Sequence, residues 1–355
     1  MKKFYFRYGN GKTADLCQTA YNYREGGANV VVMNARLNYD ISSHVLIDGK
    51  SILTLKPNAI VNEQLFEQGF DFKRRGVAAI LVDNAHLLFP HQVDQLFYLC
   101  KTFDITVIAY GDRMKNDIIP RASMRLMELA NTIEPVDGED SFSNRANLQF
   151  YYGAMNASKT AKLLYKAFDL EKRGLSVTTV KPSIDRDKNM ITSRIGLSRK
   201  ADIVLEPTDA IDVDYFREHH VDMILVDEAQ FLTETQIDDL IKINRTLKIP
   251  VRCYGLKTDF LTHHFTGSGK LLAIADLKKL RTICHCAERA GAEFNARKYK
   301  NGGYITEGSQ VAVDDGREIA YDSLCDRCYI TDVQGIPLEK PIKVLKKLAD
   351  MKIVR

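Results

Sequence analysis

The sequence predicts an α/β fold made of two tandem domains, each with a parallel sheet. Two observations carry that prediction. A strand, a turn, Lys-Thr, an amphipathic helix, a glycine and another strand follow one another from Phe4 and again from Phe150. Further on, AILVDNAHLLFPHQVDQL from Ala79 is answered by MILVDEAQFLTETQIDDL from Met223, and each is followed by an apolar strand ending in Tyr-Gly, at Gly111 and Gly255. Strands alternating with helices are the pattern of a parallel sheet. Recurrence of the whole series in the same order points to a duplicated domain rather than to generic strand–helix texture.

The repeat sets the domain plan. The first copy occupies residues 1–134, the polar stretch 135–146 (PVDGEDSFSNRA) is the linker, and the second copy occupies 147–282. A cysteine-bearing subdomain (283–332) and a tail (333–355) follow. At 355 residues, 45% hydrophobic and 27% charged, the chain has the composition of a two-domain globular protein. A formal charge of +4 gives no reason to expect a nucleic-acid surface. No apolar run has the ~18 residues that span a bilayer, and none near the N-terminus resembles a signal peptide. The expectation is a cytoplasmic protein, with no membrane partner and no nucleic acid.

Within the second copy, residues 153–160 read GAMNASKT. They fit the phosphate-loop pattern G-x-x-x-x-G-K-[ST], with Ser158 in place of the second glycine. Such a loop surrounds phosphate oxygens with backbone N–H groups at a helix N-terminus, while the lysine meets the terminal phosphates and the hydroxyl ligates Mg²⁺. The competing reading is a strand–turn–helix junction with an exposed lysine. Behind Lys159, the residues Ala161, Leu163, Leu164 and Ala167 form the helix's apolar face. In the first copy Gly11-Lys12-Thr13 is intact, but alignment on those residues puts Phe6 where the first glycine belongs.

The apolar strand from Met223 ends in Asp227-Glu228. Such a strand end holds the Mg²⁺-directed aspartate of phosphate-loop proteins, and the adjoining glutamate can accept a proton from an attacking hydroxyl. The competing role is helix capping. The first copy has Asp83-Asn84 there, and an amide is no base, so that copy reads as degenerate.

Cys284, Cys286, Cys325 and Cys328 form two close pairs, C-x-C and C-x₂-C, suited to a tetrahedral structural Zn²⁺, with His285 as a substitute ligand. Cys17, Cys100 and Cys253 are isolated and read as buried apolar residues.

Taken together, residues 153–160, the string Asp227-Glu228-Ala229-Gln230-Phe231, the string from Tyr254 to Phe260 and the paired cysteines resemble the zinc-containing, phosphate-loop thymidine kinase family of the cytosolic type. The resemblance runs from about Leu148 to Asp332. It implies a P-loop (RecA-like) parallel-sheet fold in both domains, followed by a small zinc and lasso subdomain. It also implies transfer of the ATP γ-phosphate to the 5′-hydroxyl of thymidine or deoxyuridine, with Glu228 as general base. Gly153, Asn156, Ser158, Lys159, Thr160 and Asp227 would hold ATP and Mg²⁺. Met155, Gln230, Phe231, Leu256, Phe260 and Tyr321 would meet the nucleoside. Residues 306–321 resemble a lasso loop that closes over the base. A homo-oligomer is implied, with dTTP as a feedback ligand.

The sequence departs from the family pattern at Ser158, at Arg186, displaced by one place in Asp185-Arg186-Asp187, and at Asp314-Asp315-Gly316 in the lasso. Arg194 and Lys188 are candidate replacements for the displaced arginine. The reading opposed to an enzyme is a pseudokinase that binds a nucleoside or nucleotide without turnover.

Overall fold

The computed structural model describes residues 2–35, 69, 71–136, 148–184, 189–288, 290–300, 302–311, 319–341 and 343–344. The chain forms two compact units: Met1–Asp140 with Asp326–Arg355, and Ser141–Cys325. Most of the expected linker, the segment with Arg186 and Lys188, and the Asp314-Asp315-Gly316 portion of the lasso lie outside the described residues.

The first unit runs β1 (Phe4–Tyr8), α1 (Lys12–Glu25), β2 (Asn29–Asn34), β3 (Val77–Asp83), α2 (Pro90–Phe103), β4 (Thr106–Tyr110), α3 (Arg121–Leu129) and β5 (Thr132–Pro135). Its sheet is parallel throughout, in the order β2-β3-β4-β1-β5. Every residue of β4 is buried and nearly every residue of β3, as expected of strands covered on both faces. Leu16 and Ala20 of α1 pack with Val32, Leu81, Ile108 and Tyr110 in one cluster. The C-terminal segment is anchored in this unit. The buried Lys101 ammonium pairs with Asp326 and also donates to Asn131 Oδ1 (2.7 Å), and the Tyr98 hydroxyl donates to Gln334 (2.9 Å).

The second unit runs β6 (Leu148–Tyr152), α4 (Lys159–Lys172), β7 (Val177–Pro182), β8 (Met190–Thr192), β9 (Ser198–Lys200), β10 (Ile203–Leu205), α5 (Val213–Glu218), β11 (Met223–Val226), α6 (Glu234–Leu247), β12 (Val251–Gly255), α7 (Thr266–Ile274) and β13 (Asp276–Lys279). Its parallel sheet has the order β10-β7-β11-β12-β6-β13. Two antiparallel ribbons are added, β8–β9 and the pair β14 (Phe294–Tyr299) and β15 (Ile319–Leu324). Leu163, Leu164, Ala167 and Leu170 of α4 bury against Leu225 and Tyr254. Fully burying one such leucine contributes about 1.5–3 kcal/mol.

Apart from the edge strand β10, the two sheets have the same order. In each, the strand leading into the phosphate loop lies between the last strand and the Tyr-Gly strand, and the acidic strand comes next. Register sharpens the equivalence. Arg7 pairs with Tyr110 as Tyr151 pairs with Tyr254. Phe6 therefore corresponds to the buried core residue Phe150, and Gly9 to Gly153. This corrects the placement of Phe6 at the first glycine. The first unit has a glycine at that position and a loop three residues shorter: Gly9-Asn10-Gly11 stands where the second unit has the six residues from Gly153 to Ser158.

Candidate active site

The phosphate loop leaves β6 at Gly153. A Cβ there would stand 2.6 Å from the Leu280 carbonyl oxygen and 2.9 Å from the Ala157 Cβ, so only glycine fits. Ser158 adopts left-handed backbone (φ 56°), the conformation for which a second glycine would be chosen, and Asn156 does the same (φ 64°). A Cβ makes that conformation cost about 1–2 kcal/mol. The serine thus preserves the loop's shape at an energetic cost.

Lys159 opens α4 and turns its ammonium back over the loop, donating to the carbonyls of Ala154 (2.9 Å) and Gly153 (3.4 Å). Burial pushes it down to about 8, against the pull of Glu228 and Asp227. Thr160 donates to Asp227 Oδ1 (3.3 Å), which brings the loop hydroxyl and the acidic strand end together. Burial, followed by the neighbouring Glu228 charge, raises the Asp227 carboxyl above the usual carboxylate range. A cation beside Asp227 and phosphate oxygens beside Lys159 would reverse both shifts.

Glu228 sits in left-handed backbone (φ 48°), and the Gln230 amide donates to its carboxylate. The other end of the Gln230 side chain accepts from the Leu256 N–H (3.0 Å). Gly255 makes room for this amide: a Cβ there would lie 2.7 Å from Gln230 Oε1. Gln230 therefore fixes both Glu228 and the start of the 256–260 segment.

Met155, Asn156, Ser158, Lys159, Thr160, Glu228 and Leu256 line one cleft of ≈ 370 Å³, together with Thr192, Ser193, Arg194 and Ile195. The β8–β9 turn delivers Arg194, whose guanidinium pairs with Asn156. Gly153, Asp227, Gln230, Phe231, Phe260 and Tyr321 are not among the lining residues. Phe231 packs edge-on against Phe265 (5.4 Å). Phe260 is buried under the Arg297 guanidinium, 3.8 Å from the ring centroid, and Tyr321 accepts from Arg297 Nε (2.9 Å).

The sequence reading missed Arg297, Asn295 and Ser323. The available signal was the alternation of apolar and polar side chains in Phe294-Asn295-Ala296-Arg297, whose four residues are all buried.

The sulfurs of Cys284, Cys286, Cys325 and Cys328 all lie within 4.8 Å of one another. Four thiolates at that spacing fit a tetrahedral zinc, which would leave no open coordination position. His285 is exposed and is not part of the group. Cys100 and Cys253 are buried as expected, whereas Cys17 is only half-buried.

In the first unit the equivalent elements meet differently. Lys12 pairs with Asp112 (2.6 Å) and donates to the Gly9 carbonyl (2.6 Å), and Thr13 donates to Asp83 (3.1 Å). Asp112 follows Tyr110-Gly111 as Leu256 follows Tyr254-Gly255. A carboxylate therefore already neutralises the Lys12 ammonium.

A parallel sheet with a lysine-bearing loop beside an acidic strand end defines a phosphate-transferring α/β enzyme of the nucleotide-binding class. The sequence profile for thymidine kinase matches residues 5–137 and 146–329. The chain belongs to the thymidine kinase family. It is 42% identical over 185 residues to a thymidine kinase of Enterobacteria phage T4, a match covering 51% of this chain and 93% of that protein. Thymidine kinases of Shewanella oneidensis and Pasteurella multocida are 40% and 38% identical over 185 residues, in each case 51% of this chain and 94% of the relative.

Proposed function

We propose that the protein is an ATP-dependent thymidine kinase whose chemistry is done by the second unit alone. The observation that carries this reading is the single cleft shared by Lys159, Thr160 and Glu228 on the phosphate side and by Met155 and Leu256 on the apolar side. In the transfer, the nucleoside 5′-oxygen forms a bond to the γ-phosphorus, the bond to the ADP oxygen breaks, and the 5′-hydroxyl proton passes to the Glu228 carboxylate. The loop N–H groups, Lys159 and Arg194 receive the phosphate charge. Thr160 and Asp227 are the residues to hold Mg²⁺, which when bound neutralises charge on the β- and γ-phosphates.

Met155 and Leu256 bound the thymine subsite, and Phe231, Phe260 and Tyr321 remain its proposed further contacts. The lasso contributes the described residues 306–311 and Tyr321. Thymine joined to a triphosphate, as in dTTP, satisfies both sides of the same cleft, and we carry it forward as a feedback ligand.

We read the first unit as a degenerate copy, on the strength of the shared strand order, its shortened loop and the Lys12–Asp112 pair. Association into a homo-oligomer is supported by Tyr165 and Phe168, which stand 58% and 64% exposed on α4. No helix among the described residues is long and apolar enough to cross a membrane. Seven cysteines outside any disulfide support a cytoplasmic location.

The test is a thymidine phosphorylation assay with Mg²⁺ and ATP. Production of dTMP by the wild-type chain is the expected result. A wild type that binds thymidine but makes no product, beside an active Ser158→Gly, would replace this reading with the pseudokinase.

A further inference from the structure

We propose that the β14–β15 ribbon couples the two substrate subsites, with Asn295 and Ser323 as positioning residues. The inference rests on the reading that the cleft takes ATP and thymidine together.

Asn295 is 3% exposed and uses both ends of its amide. Its Oδ1 accepts from the Met155 N–H (2.7 Å), and its Nδ2 donates to the Thr258 carbonyl (3.1 Å). Met155 belongs to the phosphate loop. Thr258 lies in the 256–260 segment on the nucleoside side. Although the Met155 side chain is assigned to the thymine subsite, its backbone is part of the phosphate loop, so one buried amide ties the loop backbone to the backbone of the 256–260 segment.

Ser323, the cross-strand partner of Asn295, donates to the Met155 carbonyl (2.6 Å). The Met155 residue is therefore gripped through its N–H and its C=O by one cross-strand pair.

Two residues along β14, about 6.6 Å away on the same face, stands the pair Arg297–Tyr321. Arg297 donates to the carbonyls of Ser309 (2.8 Å) and Gln310 (2.7 Å) and lies on the Phe260 ring. The face that fixes the phosphate loop therefore also fixes residues 309–310 and the end of the 256–260 segment. A ribbon of two strands is marginal by itself; these grips are what hold its polar face in place.

Ordering of the phosphate loop by ATP is then transmitted to the nucleoside wall. Thermodynamic linkage requires thymidine to have the reciprocal effect on ATP. The competing account is that these bonds merely satisfy buried polar groups. That account predicts weaker binding of one or both substrates but no change in how each affects the other.

The experiment measures thymidine affinity of the full chain by calorimetry, with and without Mg²⁺ and β,γ-imido-ATP, alongside zinc content and melting temperature. For the wild type, the ATP analogue should tighten thymidine on the order of tenfold. Asn295→Ala should cut that ratio to less than about twofold, a loss on the scale of ordinary site–site couplings. Ser323→Ala should fall between the two. Should Asn295→Ala fail to fold, Ser323→Ala decides the matter, because it removes a single hydroxyl. Full coupling retained in the folded variants, or no coupling in the wild type, overturns the proposal. A wild type that neither binds nor phosphorylates thymidine would instead defeat the functional reading, and the coupling with it. Normal turnover with unaltered coupling in the variants would defeat this inference only.

Discussion

The two units share a strand order and a register but differ in what surrounds their lysines. Lys159 follows a six-residue loop and, among the described residues, donates to backbone carbonyls alone, so phosphate oxygens can claim it. Lys12 follows a three-residue loop and is already paired with Asp112. Asp227 is followed by a carboxylate and Asp83 by an amide, though both Glu228 and Asn84 hold left-handed backbone (φ 48° and 53°). Backbone geometry at the acidic strand end is thus common to both units, while a second carboxylate follows the aspartate in only one of them. A parallel sheet needs only apolar strands and well-placed turns, so the same topology can stand with or without the groups of a phosphate site.

The largest difference between the two units is expected at the proposed base. Glu228→Gln should lower kcat by about 10²–10⁴-fold while calorimetry still detects thymidine binding. Asn84→Glu in the first unit should leave kcat unchanged. Recovery of activity by Asn84→Glu in a Glu228→Gln background would show that the first unit retains a working site.

Next in size is the lysine pair. Lys159→Ala should reduce kcat/KM by about 10²–10³-fold, the scale of losing one preorganised charge-stabilising donor, and Lys12→Ala should have no effect. Steady-state kinetics on both variants checks this.

The four-cysteine cluster comes next. Cys325→Ser, or stripping with a chelator, should destabilise the protein by about 3 kcal/mol or more, lowering Tm by about 6–12 °C for a domain of this size. Metal analysis should find one zinc per wild-type chain. A Tm unmoved by the chelator would sink the structural-zinc reading.

The smallest expected effect is at Ser158. Replacement by glycine relieves about 1 kcal/mol of left-handed strain and should raise Tm by about 2–4 °C. A lower Tm would show that the serine hydroxyl contributes more than its backbone costs.

Much of this was legible in the sequence because the motifs are local. Residues 153–160, Asp227-Glu228 and the two cysteine pairs each announce themselves within a few positions. The shortened first loop was misplaced because aligning on Gly-Lys-Thr pushes the missing residues upstream onto Phe6; only the pairing of β1 with β4 shows where the gap falls. Asn295, Ser323 and Arg297 were not legible because their partners are far away in sequence. Asn295 meets Met155 across 140 positions and Ser323 meets it across 168. The delivery of Arg194 to the cleft depends on the β8–β9 turn, and three-residue strands leave little periodicity to read.

The claim that one unit of two does the chemistry is tested most directly by counting ATP sites in an equilibrium titration of the full chain. The account predicts one site per chain, lost in Lys159→Ala and kept in Lys12→Ala. Two sites, or one site that disappears with Lys12→Ala, would contradict it.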